Sequence, residues 1–262
     1  MSNMETWRLL ISPPGPGAQQ MAQDQAIAEA VQSGASPPTL RFYTWWPRAI
    51  SLGYRQPVDL VDRPLAQTLG VDIVRRVTGG DAILHSDDLT YAIALPQNHR
   101  LAQRGVLASY MAISDGLVAG LTSLGLRATS APVDRAWKGQ ESGLCYLTPS
   151  RHEIWIDGYK IVASAQGRIH GGVLQHGSLL LSHDDDAYRL TRASVPETPL
   201  HGIRNLLPQV PTIGALVQAL TEGLHQEMAM NPEPGSLSSA ELRRLDELAR
   251  IRYSDTTWLH RC

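Results

Sequence analysis

Residues 153–182 read EIWIDGYKIVASAQGRIHGGVLQHGSLLLS, and the fold class turns on how this stretch divides. Two β-like runs, 153–157 and 159–165, flank Asp157-Gly158. An Asp-Gly step between such runs predicts a tight hairpin, because both turn residues must take positive φ. A further strand is predicted over 173–182. Upstream, 72–77 (DIVRRV), 82–85 (AILH) and 89–95 (LTYAIAL) read as strands, the first interrupted by Thr78-Gly79-Gly80. Residues 40–54 are aromatic and β-branched, and read as two short strands broken at Pro47.

The period changes between and beyond these blocks. Val106, Tyr110, Ile113, Leu117, Leu121 and Leu124 mark one face of a long helix, and Ile213, Leu216, Leu220 and Leu224 mark another. The alanine- and glutamine-rich stretch 18–32 has good intrinsic helix propensity, and follows a rigid lead-in, SPPGPG at 12–17. Residues 231–236 (NPEPGS) read as a linker. After it, Ser238 and Glu241 form a capping box, with Leu237 and Leu242 placed as a hydrophobic staple, for a last helix running to about Arg250. The order of helix, strand block, helix, strands and helices lacks strict β-α alternation. It favours α+β, or mixed α/β, over a doubly wound parallel sheet.

The 262 residues suffice for one large domain or one with a small appendage, with a core that needs no disulfide. The division adopted is one domain over 1–262 with a C-terminal helical segment at about 237–262. A formal net charge of -2 and a pI near 6.5 argue against a nucleic-acid binder. Two cysteines, Cys145 and Cys262, fit a reducing compartment. The N-terminus shows no basic segment followed by a long apolar one, and no apolar run approaches the ~20 residues of a membrane span. The expectation is a soluble, cytoplasmic protein without a membrane partner.

Three segments could carry chemistry. Arg75-Arg76-Val77-Thr78-Gly79-Gly80 follows a strand, so its amides could cradle an anion beside two guanidinium groups. A plain turn with solvated arginines is the other reading. It is not a P-loop, lacking the Gly-Lys-Ser/Thr ending. Lys160 lies inside an apolar strand, where an unpaired ammonium is costly. It either reaches solvent at a sheet edge or serves a polar site, and Ser164, Gln166 and Arg168 follow at alternating positions on its face. Cys145, in GLCYLTPS, is either an inert buried thiol or a nucleophile, a role that a nearby cation would favour. Among the histidines, His85, His170 and His176 lie beside these segments. No close ligand spacing supports a zinc site, and no local signature supports a Cys–His hydrolase.

Taken in order, RFYTWWPRAISLGYRQ, RRVTGGDAILHSDDLTYAIALP, CYLTPSRHEI, GYKIVASAQGRIHGGVLQHGSLLL and the terminal RYSDTTWLHR resemble the lipoate-protein ligase and octanoyltransferase family over nearly the whole chain. The closest likeness is to its cysteine-dependent octanoyltransferase branch. The resemblance implies the mixed α/β catalytic domain shared with biotin protein ligases. It also implies ping-pong transfer of an octanoyl (or lipoyl) group from acyl carrier protein, through a Cys145 thioester, to a lysine of a lipoyl domain. The acceptor would be the glycine-cleavage H protein or a dehydrogenase E2 subunit. Cys145 and Lys160 would be catalytic, with the ammonium lowering the thiol pKa. Arg75, Arg76, Thr78, Gly79, Gly80, His85, Ser164, Gln166 and His176 would bind substrate. No metal or cofactor is implied. ATP enters only under the alternative of a ligase working through an acyl-adenylate, and a non-catalytic lipoyl-domain binder is a third reading. Two positions depart from the pattern: Asp81, where an acid opposes a phosphate, and Ala163, where the family carries glycine before the serine.

Overall fold

The computed structural model describes residues 4–130, 143–147, 153–191, 193–194, 200–207 and 209–262. Strands β1 (Glu5–Ile11), β2 (Thr39–Tyr43), β6 (Asp88–Leu95), β7 (Ala128–Ser130), β8 (Ile154–Ile156), β9 (Tyr159–Ile169), β10 (Gly172–Leu180) and β11 (Met230–Pro234) make the large sheet, and β3 (Ala49–Leu52), β4 (Asp72–Arg75) and β5 (Ile83–His85) the small one. The long helices are α1 (Gly17–Gln32), α4 (Val106–Ser123), α7 (Ile213–Met228) and α8 (Ser239–Leu248). Shorter ones are α2 (Arg63–Thr68), α3 (Arg100–Gln103), α5 (Asp186–Thr191), α6 (Ile203–Leu206) and α9 (Thr256–Leu259).

The large sheet runs β11-β1-β2-β6-β10-β9-β8-β7, with β1 parallel to both neighbours and the rest antiparallel. In the small sheet, β3 pairs in parallel with β4 and antiparallel with β5. Mixed sheets flanked by helices is therefore the fold class, which the order of predicted elements favoured.

The hairpins explain the middle of the large sheet. Asp157 and Gly158 have φ of 49° and 86°, so both turn residues sit where the β8–β9 turn needs them. A second turn of the same sign pattern, His170-Gly171 (φ 49° and 95°), joins β9 to β10. It extends β9 four residues beyond the predicted end at 165.

Two apolar layers cover the sheet. On one face α4 and α7 bury Ile113, Leu117, Leu121, Leu216, Leu220 and Leu224 against β6, β9 and β10. Gly116 and Gly223 let the two helices approach closely: a Cβ at Gly223 would lie 2.3 Å from the Gly116 carbonyl. On the other face α1 and α8 enclose Met21, Ile27, Val31 and Leu248.

The expected linker at 231–236 is corrected by the structure. Residues Met230–Pro234 form edge strand β11, with Trp7 opposite Pro232 and Leu9 opposite Pro234. An edge strand needs ladder donors on one side only, so prolines are tolerated there. The capping box of α8 is present, with Glu241 N to Ser238 Oγ at 3.2 Å and Ser238 N to Glu241 Oε2 at 2.8 Å. The staple is not: Leu242 is exposed, while Leu237 packs on the α1 layer. Arg8 from β1 forks onto the same Glu241 carboxylate at 2.6 and 2.8 Å, tying α8 to the sheet.

Candidate active site

The site lies where α1 crosses β6, β9 and β10 beside the small sheet. Its floor is a polar layer centred on Asp24 of α1. Arg41 of β2 is fully buried and spends its five N–H groups on Asp24, the Gln20 side chain and carbonyl, Gln23 and Ser12. The Asp24 carboxylate also accepts from Tyr43 (2.8 Å) and from His176 Nδ1 (2.9 Å). Burial alone would raise the Asp24 carboxyl, but Arg41, His176 and Tyr43 together outweigh it and hold it below its usual range. Burial pushes the His176 imidazole below its ordinary value, against the pull of Asp24. With Nδ1–H facing Asp24, His176 Nε2 accepts from the Thr78 hydroxyl at 2.6 Å.

A second buried carboxylate, Asp88 at the start of β6, accepts from His85 Nδ1 (2.8 Å), Thr90 (3.0 Å) and Ser178 (2.6 Å). His85 Nε2 meets Ser51 at 2.8 Å, and Trp45 stacks on the imidazole at 3.9 Å. Ser51 in turn receives Arg76 at 2.7 Å.

The two adjacent arginines face opposite ways, as neighbours at the end of a strand must. Arg76 turns inward and donates to the carbonyls of Ser51, Gly79 and Asp81, holding the glycine turn from inside. Arg75 turns outward and donates to the carbonyls of Gly53, Gln56 and Leu259, while Trp258 Nε1 caps the Arg75 carbonyl at 3.0 Å. Arg75 thus fastens α9 to the small sheet and, among the described residues, borders neither the cavity beside Cys145 nor the outer cleft next to it. The turn calls for glycine at Gly80 and at the facing Gly53. Gly80 has φ of 85°, and a Cβ on the facing Gly53 would fall 1.8 Å from the Gly80 carbonyl oxygen.

Cys145 reaches this turn through a short bridge. Ala82 N donates to the Gly143 carbonyl and Cys145 N to the Ala82 carbonyl, each at 2.9 Å. The thiol borders a narrow, largely apolar cavity that reaches back to Met21, Tyr43 and Trp45. Arg76, Gly80, His85, Ser164 and His176 border it too, as does Ala163. Thr78, Gly79 and Asp81 border the adjoining outer cleft, where Asp81 is held by Gln56 at 3.2 Å. Gln166 borders neither and bonds Ser109 and Gln175 beneath α4. His170 is in the β9–β10 turn, away from the site.

Lys160 does not point to solvent. Its Nζ lies 3.6 Å from Cys145 Sγ, donates to the Cys145 carbonyl, and pairs with Glu153 Oε1 at 2.6 Å. Both charged side chains are 1% exposed. The expected lowering of the thiol pKa is not the net result. Burial raises it most, Lys160 pulls it down, and Glu153 pushes it up again, leaving the thiol above its ordinary value. Ser164, taken with Lys160 as part of one stripe, bonds Tyr91 at 2.7 Å, and Arg168 reaches the Ala102 carbonyl, so the stripe does not converge on one site.

This architecture has relatives. A model of the lipoyl protein ligase A/B catalytic domain matches residues 16–225. The chain belongs to that family. Within it, the chain is 36% identical to octanoyltransferase LipM of Moorella thermoacetica, covering 98% of each chain. It is 33% identical to octanoyltransferase LipM of Clostridioides difficile, over 94% of this chain and 95% of that one. In solved structures the fold recurs in a lipoate-protein ligase A bound with ATP (TM-score 0.81, 24% identity, 98% and 99% coverage). It recurs also in a bipartite lipoate protein ligase of Thermoplasma acidophilum (TM-score 0.78, 22% identity, 98% and 96% coverage).

Sequence reasoning missed Glu153, Asp24, Arg41 and Asp88. The predicted hairpin at Asp157-Gly158 was the usable signal for Glu153, since it folds 153–156 back along the strand that carries Lys160. Asp24 and Arg41 sit 17 residues apart on different elements, and no spacing rule joins them.

Proposed function

We propose that this chain is an octanoyltransferase of protein lipoylation. Cys145 takes the octanoyl group from an acyl carrier protein thioester, and a lysine of a lipoyl domain then receives it. The observation that carries the reading is Cys145 Sγ at 3.6 Å from a buried ammonium, on the wall of a narrow apolar cavity. A thiol there can attack a thioester whose acyl chain lies among Met21, Tyr43 and Trp45. The Lys160 ammonium is placed to stabilise the charge that develops during attack. Family membership and the octanoyltransferase LipM relatives support the reaction class. Arg76, Gly80, His85, Ser164 and His176 shape the acyl cavity, and Thr78 and Gly79 the cleft leading to it. Arg75 and Gln166 act through the fold rather than on the substrate. We further propose one catalytic domain over 1–262, a cytoplasmic location, and catalysis without a bound cofactor.

Asp81 beside Gly79-Gly80 opposes a phosphate in the outer cleft, which favours transfer over the ATP-dependent ligase reading. The test is octanoylation of a lipoyl domain, followed by mass, with octanoyl carrier protein as donor and ATP omitted. We expect turnover without ATP, reduced at least ~1,000-fold in Cys145→Ala. Turnover only with free acid and ATP, undiminished in Cys145→Ala, would replace the transferase by the ligase. Carrier binding with no turnover in either assay would leave the non-catalytic binder.

A further inference from the structure

A thiol held above its ordinary pKa is not a standing thiolate, so its proton must go somewhere when it attacks. The ionisable groups acting on Cys145 come from every side: Lys160 on β9, Glu153 before β8, Arg76 after β4, Asp81 in the glycine turn, Tyr110 on α4 and Tyr146 beside it. Arg76 is committed to three backbone carbonyls and Ser51. Of the two carboxylates, Asp81 is bonded to Gln56 in the outer cleft. Glu153 instead sits 2.6 Å from the ammonium that touches the sulfur.

We propose that Glu153 is the proton store of this site: acting through Lys160, it takes the thiol proton when Cys145 attacks and returns it when a thiolate leaves. This rests on the transferase reading. In the first half-reaction Sγ bonds to the acyl carbon. The thiol proton passes to Lys160 while Lys160 passes one of its own to Glu153. The bond from the acyl carbon to the donor sulfur then breaks, and the proton returns by the same route to the departing thiolate. In the second half the acceptor amine forms the C–N bond and gives up its surplus proton to Lys160, which passes one of its own to Glu153. The bond to Sγ breaks, and the proton goes back to Cys145. Thiol, ammonium and carboxylate carry no net charge together, and neither do thiolate, ammonium and carboxylic acid. The cluster can therefore make a thiolate without adding an uncompensated charge to a desolvated site, which would be costly. Glu153 is a positioning residue in the sense that it never touches substrate.

The test uses the full chain with Glu153→Gln and compares two reactions of Cys145. One is alkylation by iodoacetamide across a pH series, in which iodide leaves without needing a proton. The other is single-turnover acylation by octanoyl carrier protein, in which a thiolate must be protonated to leave. Removing the carboxylate frees Lys160 to favour the thiolate, so alkylation becomes faster at neutral pH and its rise moves to lower pH. Acylation falls about 100-fold, the scale of a lost acid–base group. Opposite movement of the two rates is the expected result, and any parallel change, up, down or nil, overturns the proposal. Should Glu153→Gln not fold, Glu153→Asp carries the test. It keeps the charge but withdraws it from Nζ, so acylation drops about 10-fold while the alkylation profile stays in place. An unchanged acylation rate in that variant overturns the proposal too. Failure of the wild-type chain to form any octanoyl adduct defeats the transferase reading itself. A wild-type adduct matched by Glu153→Gln defeats only the role of Glu153.

Discussion

Two buried carboxylate–cation pairs flank one cavity, at nearly the same distance, and they do different things. On the floor, Asp24 and Arg41 meet at 2.5 Å, and at the mouth Glu153 and Lys160 meet at 2.6 Å. Arg41 is a planar group with every N–H placed on a fixed partner. Such a pair sets geometry: it orients Tyr43 and His176, and through Thr78 it steadies the glycine turn. Lys160 is a point charge able to exchange protons, and it touches the one thiol in the cavity. Equal length and equal burial thus say little about role; the chemistry of the cation decides it.

The sharpest way to break this contrast is to give the mouth the floor's cation. Lys160→Arg keeps the positive charge but replaces an ammonium that can relay a proton by a guanidinium that does not give one up, so acylation of Cys145 should fall by about 100-fold or more in single-turnover assays. Undiminished acylation would make the ammonium a mere electrostatic support. Next, Asp24→Asn leaves Arg41 buried without its counter-charge. We expect a loss of about 3 kcal/mol in urea unfolding, with iodoacetamide still alkylating Cys145 in the folded fraction. Loss of alkylation with stability unchanged would put Asp24 at the mouth functionally.

A third pair, Arg8–Glu241, lies at the periphery and sharpens the comparison by its smaller effect. Burial raises the Glu241 carboxyl, but Arg8 and the Ser238 cap lower it more, to about 2. A carboxylate with a depressed folded pKa adds stability above its unfolded value of about 4.3, and that stability is lost as pH falls toward 2. Glu241→Gln should cost about 2 kcal/mol at pH 7, and the gap to wild type should close between pH 4.3 and 2 in denaturant titrations. A gap independent of pH would mean that the cap alone, and not the charge, holds α8.

Much of the fold was legible because local chemistry forced it. Asp157-Gly158 turns the chain at positive φ, and the Ser238–Glu241 box starts α8 where its residues say it must. Strand β11 was hidden by Pro232 and Pro234, which signal a linker until its parallel partner β1 is known. The His170-Gly171 turn was hidden because His-Gly is a weak hairpin signal, though the geometry matches Asp157-Gly158. For the site, Cys145 and Lys160 could be named from the family resemblance, but their net charge balance could not. It depends on Glu153, which the chain brings in across a hairpin. Arg75 and Arg76 looked equivalent in sequence; the alternation of side chains along a strand was the available clue that one faces the cavity and the other fastens α9.

The most direct test of the account is the intact mass of the protein after mixing with octanoyl carrier protein in the absence of ATP. One octanoyl adduct is expected, absent in Cys145→Ala and released by hydroxylamine. No adduct on the wild-type chain, with lipoyl-domain modification appearing only when ATP and free octanoic acid are supplied, would contradict it.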